Sequence, residues 1–271
     1  VFDETHLIIA DQYKEIIEAM TPSLSTYLLG LTATPGRSYI NMNEDRKLSD
    51  FFNNTKYTLK VKGYENPIEY LIDEGYLSKV DTETIDYESK NLIFSDYEKQ
   101  IILEGKNELS DDRIQQICEE EGRRALIFKK IIECSQENKG NKILVFASSV
   151  KEANLFADVL KNFNIKIFAI TDKTNSQNRN YLINEFKKPN SDVQILTNYG
   201  VLSTGFDAPK TNIAIITRPI SSVILYNQIV GRVARGPKAG GNEKCKIIQV
   251  VDKGYGFRDL SESFLFWEDI W

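Results

Sequence analysis

The 271-residue sequence has one histidine, three cysteines, two methionines and two tryptophans. A single imidazole excludes a metal site built from several histidines of this chain. Cys118, Cys134 and Cys245 are odd in number, far apart and never in a C-x-x-C pair. That spacing excludes a zinc ribbon and argues against a disulfide framework, so a reducing, intracellular compartment is expected. No apolar run approaches the ~18–20 residues that cross a bilayer, no signal-peptide pattern is read at the start, and no internal repeat has a solenoid period. With 27% charged and 11% aromatic residues, the composition is that of a folded chain rather than a disordered one. The length suits one large or two modest domains.

Positive charge is also in short supply: 34 basic against 39 acidic side chains give a net charge of −5. As an average this argues against a polyanionic partner. The average conceals a segregation. Residues 1–80 carry −4, residues 81–122 carry −9, residues 123–253 carry +11 and residues 254–271 carry −3. A basic block of about 130 residues therefore follows an acidic connector.

Within that block short apolar runs alternate with helical patterns. Ile143–Phe146, Ile165–Ile170, Val193–Thr197, Ile213–Thr217 and Ile247–Val251 read as strands, continuously apolar as in a parallel sheet covered on both faces. Residues 151–163, 176–188 and 221–235 read as the helices between them. The alternation predicts a doubly wound α/β domain over 123–253. The N-terminal part is abbreviated: a helical stripe of Tyr13, Ile16, Ile17 and Met20, a strand over Tyr27–Leu31, and a helix near Pro67–Glu74. Residues 95–138 read as mainly helical, with Ser110 or Asp111 available as a cap.

Four segments carry chemistry. Asp3-Glu4-Thr5-His6 follows an apolar pair and places two acids at a strand's carboxyl end, where α/β sheets bind ligands. Phosphoryl transfer needs one carboxylate for Mg²⁺ and another for the attacking water, though the tetrapeptide alone reads as a solvated loop. Leu31 through Gly36, L-T-A-T-P-G, puts small hydroxyl residues where they could bond the acidic loop. Thr197 through Pro209, T-N-Y-G-V-L-S-T-G-F-D-A-P, offers glycines and hydroxyls to phosphate or ribose, with Asp207 able to take a ribose hydroxyl or pair with an arginine. Gln228-Ile229-Val230-Gly231-Arg232-Val233-Ala234-Arg235-Gly236 is the strongest. At about 100° per residue, Gln228, Arg232 and Arg235 share one edge of a helix whose opposite face is Val223, Tyr226, Ile229, Val230 and Val233. Two guanidiniums on one edge suit planar recognition of phosphate oxygens.

In this order the four segments resemble motifs II, III, V and VI of superfamily 2 nucleic-acid helicases and translocases, and Val145-Phe146-Ala147-Ser148-Ser149 is similar to motif IV. Arg218-Pro219 and Asn66-Pro67…Gly75-Tyr76-Leu77 resemble the XPB-like and restriction-motor branch. The resemblance covers 1–253. It implies tandem RecA-like parallel-sheet lobes with ATP between them and nucleic acid across both. Lobe 1 would be incomplete over residues 1–78 and lobe 2 complete over 123–253, with an acidic connector at 79–122 and an aromatic, acidic tail at 254–271.

The resemblance also implies roles. Asp3 would hold Mg²⁺ and Glu4 would polarise water. His6, Thr32 and Thr34 would couple hydrolysis to movement. Gly205, Asp207 and Gln228 would meet the nucleotide, while Ser148, Thr197 and Thr204 would lie at the nucleic acid. Arg232 and Arg235 would reach the γ-phosphate, with Arg235 as the arginine finger. ATP and Mg²⁺ are the implied cofactors. The implied partners are DNA, single-stranded or duplex, or else RNA, together with proteins of a repair or defence complex, and no membrane.

No G-x-x-x-x-G-K-[ST] occurs in the sequence. The chain opens on Val1-Phe2 as if inside a strand, so the phosphate-cradling loop is expected upstream of Val1, and residues 1–271 alone are expected to be inactive. The competing expectation is a nucleic-acid-binding or regulatory module without ATPase activity.

Overall fold

The computed structural model describes residues 1–5, 8, 11–20, 27–32, 42–89, 91–104, 109–138, 140–188, 192, 194–201, 207–257 and 259–264. Its first part is a two-stranded parallel pair, β1 (Phe2–Asp3) and β2 (Gly30–Leu31), in register Phe2 to Gly30 and Asp3 to Leu31. Helices α1 (Asp11–Met20), α2 (Met42–Phe51) and α3 (Pro67–Asp73) accompany it. Ile8, Ile17 and Leu48 make its small core, with Phe2, Leu28, Phe51 and Phe52 packed against them. Asn66 caps α3, accepting the Ile68 N–H, and Pro67 opens the helix where no N–H is needed.

The larger part is a six-stranded, all-parallel sheet in the order β3-β8-β7-β4-β6-β5. Its strands are β3 (Lys79–Glu88), β4 (Ile143–Phe146), β5 (Ile167–Ile170), β6 (Ile195–Asn198), β7 (Ile213–Ile216) and β8 (Lys244–Lys253). Helices α4 (Asp96–Glu104), α5 (Asp111–Glu119), α6 (Glu121–Glu137), α7 (Val150–Leu160), α8 (Ser176–Lys187) and α9 (Val223–Val233) lie between them. Every residue of β4, β6 and β7 is buried, and the two-residue period sorts them onto two faces. Leu144, Phe146, Leu196, Ala214 and Ile216 meet Phe186 of α8 and Tyr226, Ile229, Val230 and Val233 of α9. Ile143, Val145, Ile195, Ile213 and Ile215 meet Ile127 and Ile131 of α6 and Phe156 and Leu160 of α7. Each such aliphatic side chain contributes about 1.5–3 kcal/mol when fully buried, and the α/β parallel-sheet class is as expected.

Three details differ from the sequence expectation. The acidic connector is not merely a connector: Lys79–Glu88 pairs along its whole length with β8 as the edge strand of the sheet. Its alternating K-V-D-T-E-T-I-D-Y-E leaves the polar side chains largely accessible, which an edge tolerates. The strand expected over Tyr27–Leu31 is only Gly30–Leu31. The helix expected over 221–235 ends at Val233, where Ala234 departs to ψ 39.

Ser110, not Asp111, caps α5. Of the aromatic tail, Tyr255 stacks on Phe94 at 4.0 Å between ring centroids and Leu260 is buried in the core of the sheet, while residues 265–271 lie outside the described residues. None of the helices among the described residues is long and apolar enough to cross a membrane.

Candidate functional site

Asp3 and Glu4 leave the carboxyl end of β1. The Asp3 side chain is exposed, and its Oδ1 accepts the Glu4 N–H at 2.9 Å. Glu4 takes φ +54, a left-handed conformation costing a non-glycine residue on the order of 1 kcal/mol. Such outliers persist where the surroundings fix them, and here Thr5 does so. Its buried hydroxyl donates toward the carbonyl oxygens of Phe2 and Leu31, each 3.0 Å away. Thr5 thus ties the acidic loop to the end of β2. It demands a glycine opposite: a Cβ on Gly30 would lie 2.6 Å from Thr5 Oγ1 and 2.7 Å from the Phe52 ring. Thr32, half-buried, follows β2. His6 and Thr34 lie outside the described residues.

The strands of the large sheet are parallel, so the loops after β4, β6 and β7 share one edge. The chain reverses its direction across the sheet around β4, the position where α/β sheets form a ligand crevice. Asp207 emerges from the loop after β6, exposed, and its Oδ1 is 3.3 Å from an Arg235 terminal nitrogen. Thr204 and Gly205 lie outside the described residues. Gln228 and Arg232 are half-buried on α9, whose opposite face, Tyr226, Ile229, Val230 and Val233, is fully buried as the helical wheel requires.

Arg235 is not on that helix. It stands two residues past the helix end, in an antiparallel bridge with Leu77. The two arginines nevertheless converge. Burial lowers the Arg232 pKa, and the like charge of Arg235 lowers it further, while Glu4 and Asp207 oppose both. Arg232 is thus within electrostatic reach of Glu4, across from the β1 loop. Glu4, Asp207, Arg232 and Arg235 form one constellation of two carboxylates facing two guanidiniums, and Asp3 precedes Glu4 on the β1 loop.

Two expected site residues are buried. Thr197 is fully buried, and its hydroxyl donates to the Ala153 carbonyl at 2.8 Å. It is a residue of β6 facing α7. Ser148 is also buried, its N–H donating to Glu152 Oε2 at 2.7 Å.

That carboxylate belongs to a cluster that sequence reasoning missed. Arg123 of α6 has no exposed surface and makes a two-pronged bond to Asp252 of β8, at 2.7 and 3.0 Å. The same guanidinium donates to the Thr217 carbonyl at 2.5 Å and lies 3.9 Å from Glu152. Burial pulls the Arg123 pKa down, but the charges and hydrogen bonds of its neighbours, Asp252 foremost and Glu152 with it, together outweigh burial and raise it. Glu152 also accepts from the Thr217 hydroxyl at 3.1 Å. The cluster therefore pins the exits of β4 and β7 on the crevice edge. Its members are separated by as much as 129 residues, and no local signal pairs them.

A cavity of about 730 Å³ lies apart from this constellation. It is lined by Thr5, Gly30, Thr32, Phe52, Tyr57 and Leu71, among others, and so sits against β1 and β2. Among the described residues no cluster of three or more potential metal ligands occurs. The exposed Asp3 carboxylate is compatible with Mg²⁺, which retains several waters and takes one or two carboxylates together with substrate phosphates.

A doubly wound parallel domain with two arginines at its crevice edge is an arrangement suited to binding phosphate-bearing ligands. The comparisons with known proteins bear on which family it resembles. Residues 123–237 match the model of the helicase conserved C-terminal domain, so this part of the chain is similar to the C-terminal lobe of helicases. A 51.5 kDa protein of a Lactococcus phage (isolate 7-9) is 28% identical over 233 residues, covering 84% of this chain and 44% of that protein. The ATP-dependent RNA helicase has1 of Aspergillus terreus is 28% identical over 139 residues, 51% of this chain and 23% of the relative. The ATP-dependent DNA helicase uvsW of Enterobacteria phage T4 is 24% identical over 162 residues, 60% of this chain and 31% of the relative.

Among solved structures, a fragment assigned as an HsdR subunit of a type I restriction enzyme from Vibrio vulnificus superposes with a TM-score of 0.61. The sequence identity is 21%, over 95% of this chain and 44% of that one. The chain thus spans less than half the length of each of these proteins.

Proposed function

We propose that this chain is part of an ATP-dependent DNA helicase or translocase in which ATP is hydrolysed between the β1 loop and the arginines of the large domain. The observation that supports this reading best is the convergence of Arg232 and Arg235 with Asp207 and Glu4. In this reading residues 1–78 belong to a first RecA-like lobe, and the phosphate-cradling loop is supplied by further sequence of the complete protein. Asp3 would hold Mg²⁺, which supplies charge neutralisation between the phosphates. Glu4 orients the water that attacks the γ-phosphorus and accepts its proton as ADP leaves. Arg232 and Arg235 stabilise charge on the transferring oxygens, an effect that can supply on the order of 10³–10⁵ in rate. Gln228, Asp207 and the undescribed Gly205 approach the nucleotide, while Thr32, Thr34, His6 and Thr204 couple its hydrolysis to the strand.

DNA is preferred to RNA because the resemblance of Arg218-Pro219 and Gly75-Tyr76-Leu77 is to the XPB-like and restriction-motor branch. Repair or restriction is the corresponding setting. The test is DNA-stimulated ATP hydrolysis by the complete gene product, expected to be lost in both Glu4→Gln and Arg235→Ala. Undiminished hydrolysis in both variants overturns the reading, and stimulation by RNA but not DNA overturns its substrate.

A further inference from the structure

The stretch that joins α3 to β3 is fastened, backbone to backbone, onto the loop that carries Arg235. Leu77 bridges Arg235 in antiparallel fashion. Around that bridge Ser78 N–H donates to the Ala234 carbonyl at 3.1 Å, Gly236 N–H to Tyr76 at 2.9 Å and Lys238 N–H to Gly75 at 2.9 Å. The Ser78 hydroxyl, wholly buried, lies 2.7 Å from the carbonyl oxygens of both Arg235 and Asn242 and is shared between them. Asn242 N–H returns to the Arg235 carbonyl at 2.8 Å. Its side-chain amide reaches the carbonyls of Lys210 and Thr211, each at 3.2 Å.

Two close approaches make the clamp possible. A Cβ on Gly236 would fall 2.3 Å from the Gly75 carbonyl oxygen, and one on Gly241 would fall 1.8 Å from that of Arg235. At the surface Lys238 pairs with Glu74 at 2.7 Å and lies 5.0 Å over the Tyr76 ring. An exposed pair of this kind adds little, and the buried hydrogen bonds carry the contact.

This junction is also the covalent path from the N-terminal unit into the large sheet. Helix α3 ends at Asp73, and β3 begins at Lys79, whose N–H bonds Glu243 at 2.9 Å. A shift of α3 against the sheet must therefore pass through the residues that hold the Arg235 carbonyl.

We propose that Ser78, assisted by Gly236, is a positioning residue for Arg235, and that the clamp between residues 75–79 and 234–243 ties the direction of that guanidinium to the placement of α3. The proposal rests on the assignment of Arg235 to the γ-phosphate, and its test separates the two.

In the complete gene product, affinities are measured for ADP and for ADP–aluminium fluoride, which imitates the transferring phosphoryl group. Arg235→Ala is expected to reduce the preference for the analogue by about 10³-fold or more. Ser78→Ala is expected to reduce it by about 10- to 100-fold, as a ~1 Å misplacement does, with ADP affinity within about twofold of wild type. In the Arg235→Ala background Ser78→Ala is expected to change the preference no further, because both substitutions act through one group. Ser78→Cys, which keeps a weak donor on a somewhat larger side chain, is expected to fall between wild type and Ser78→Ala, and it takes that variant's place if Ser78→Ala fails to fold. Equal losses in both backgrounds, or no loss in either, overturn the proposal while leaving the assignment of Arg235 in place. A preference that survives Arg235→Ala removes the assignment and the proposal together.

Discussion

Replacing Arg123 with methionine tests whether a buried charge cluster holds the crevice edge. The substitution roughly keeps the volume but removes the cation from between Asp252, with no exposed surface, and Glu152, at 2%. It also strips the Thr217 carbonyl of a donor at 2.5 Å. Two carboxylates would then remain buried without their counter-charge. Breaking a buried ion pair from one side costs about 3–5 kcal/mol, a large fraction of the roughly 5–15 kcal/mol that stabilises a typical domain. With a urea slope of about 2–3 kcal/mol/M, the unfolding midpoint should fall by about 1–2 M, read by circular dichroism at neutral pH. The cost lies in the orphaned charge rather than in a lost attraction. The double variant Arg123→Met/Asp252→Leu is therefore expected to recover at least half of it, because an apolar replacement of a buried pair is often neutral. A loss below about 1 kcal/mol in Arg123→Met, or a double variant less stable than the single one, would refute this reasoning.

Two further outcomes are expected. Burial pushes the thiols of Cys118 and Cys245 up to about 12 and that of Cys134 up to about 11, and all three are free. A thiol-reactive dye at pH 8 should thus label none of them in the native protein and all three in denaturant; fast labelling of the native state would contradict the packing. Glu98 has its carboxyl held down to about 2, first by the Ser95 backbone N–H and then by Arg113 and the Ser95 hydroxyl. A depressed carboxyl contributes its full stability above the ordinary value of 4.5 and loses it as pH falls through about 2. Glu98→Ala should therefore cost about 1 kcal/mol at pH 7 and progressively less as pH falls through about 2, and a pH-independent cost would exclude the capping contact.

What could be read from the sequence follows the range of the forces involved. Runs such as Ile143–Phe146 and Ile213–Ile216 announce doubly covered strands because burial on two faces leaves no polar position. The edge strand Lys79–Glu88 escapes the same reading, since its stability comes from ladder hydrogen bonds to β8 and its side chains stay polar. On α9 the apolar stripe was legible, but the helical wheel carried Arg235 past a helix that stops at Val233. Its approach to Arg232 and Asp207 comes from the bridge to Leu77, a contact 158 residues away in sequence. Thr197 has a suitable side chain in a suitable segment, yet its place inside β6 turns the hydroxyl onto Ala153. Thr5, Gly30 and the Arg123 cluster depend on tertiary neighbours alone, and no periodicity marks them.

The most direct test of the central claim is single-turnover ATP hydrolysis by the complete gene product with saturating DNA, comparing wild type with Arg235→Ala. Hydrolysis is expected to slow by about 10³-fold or more, with ADP affinity within about threefold of wild type. A rate within tenfold of wild type would contradict the placement of ATP between the β1 loop and these arginines.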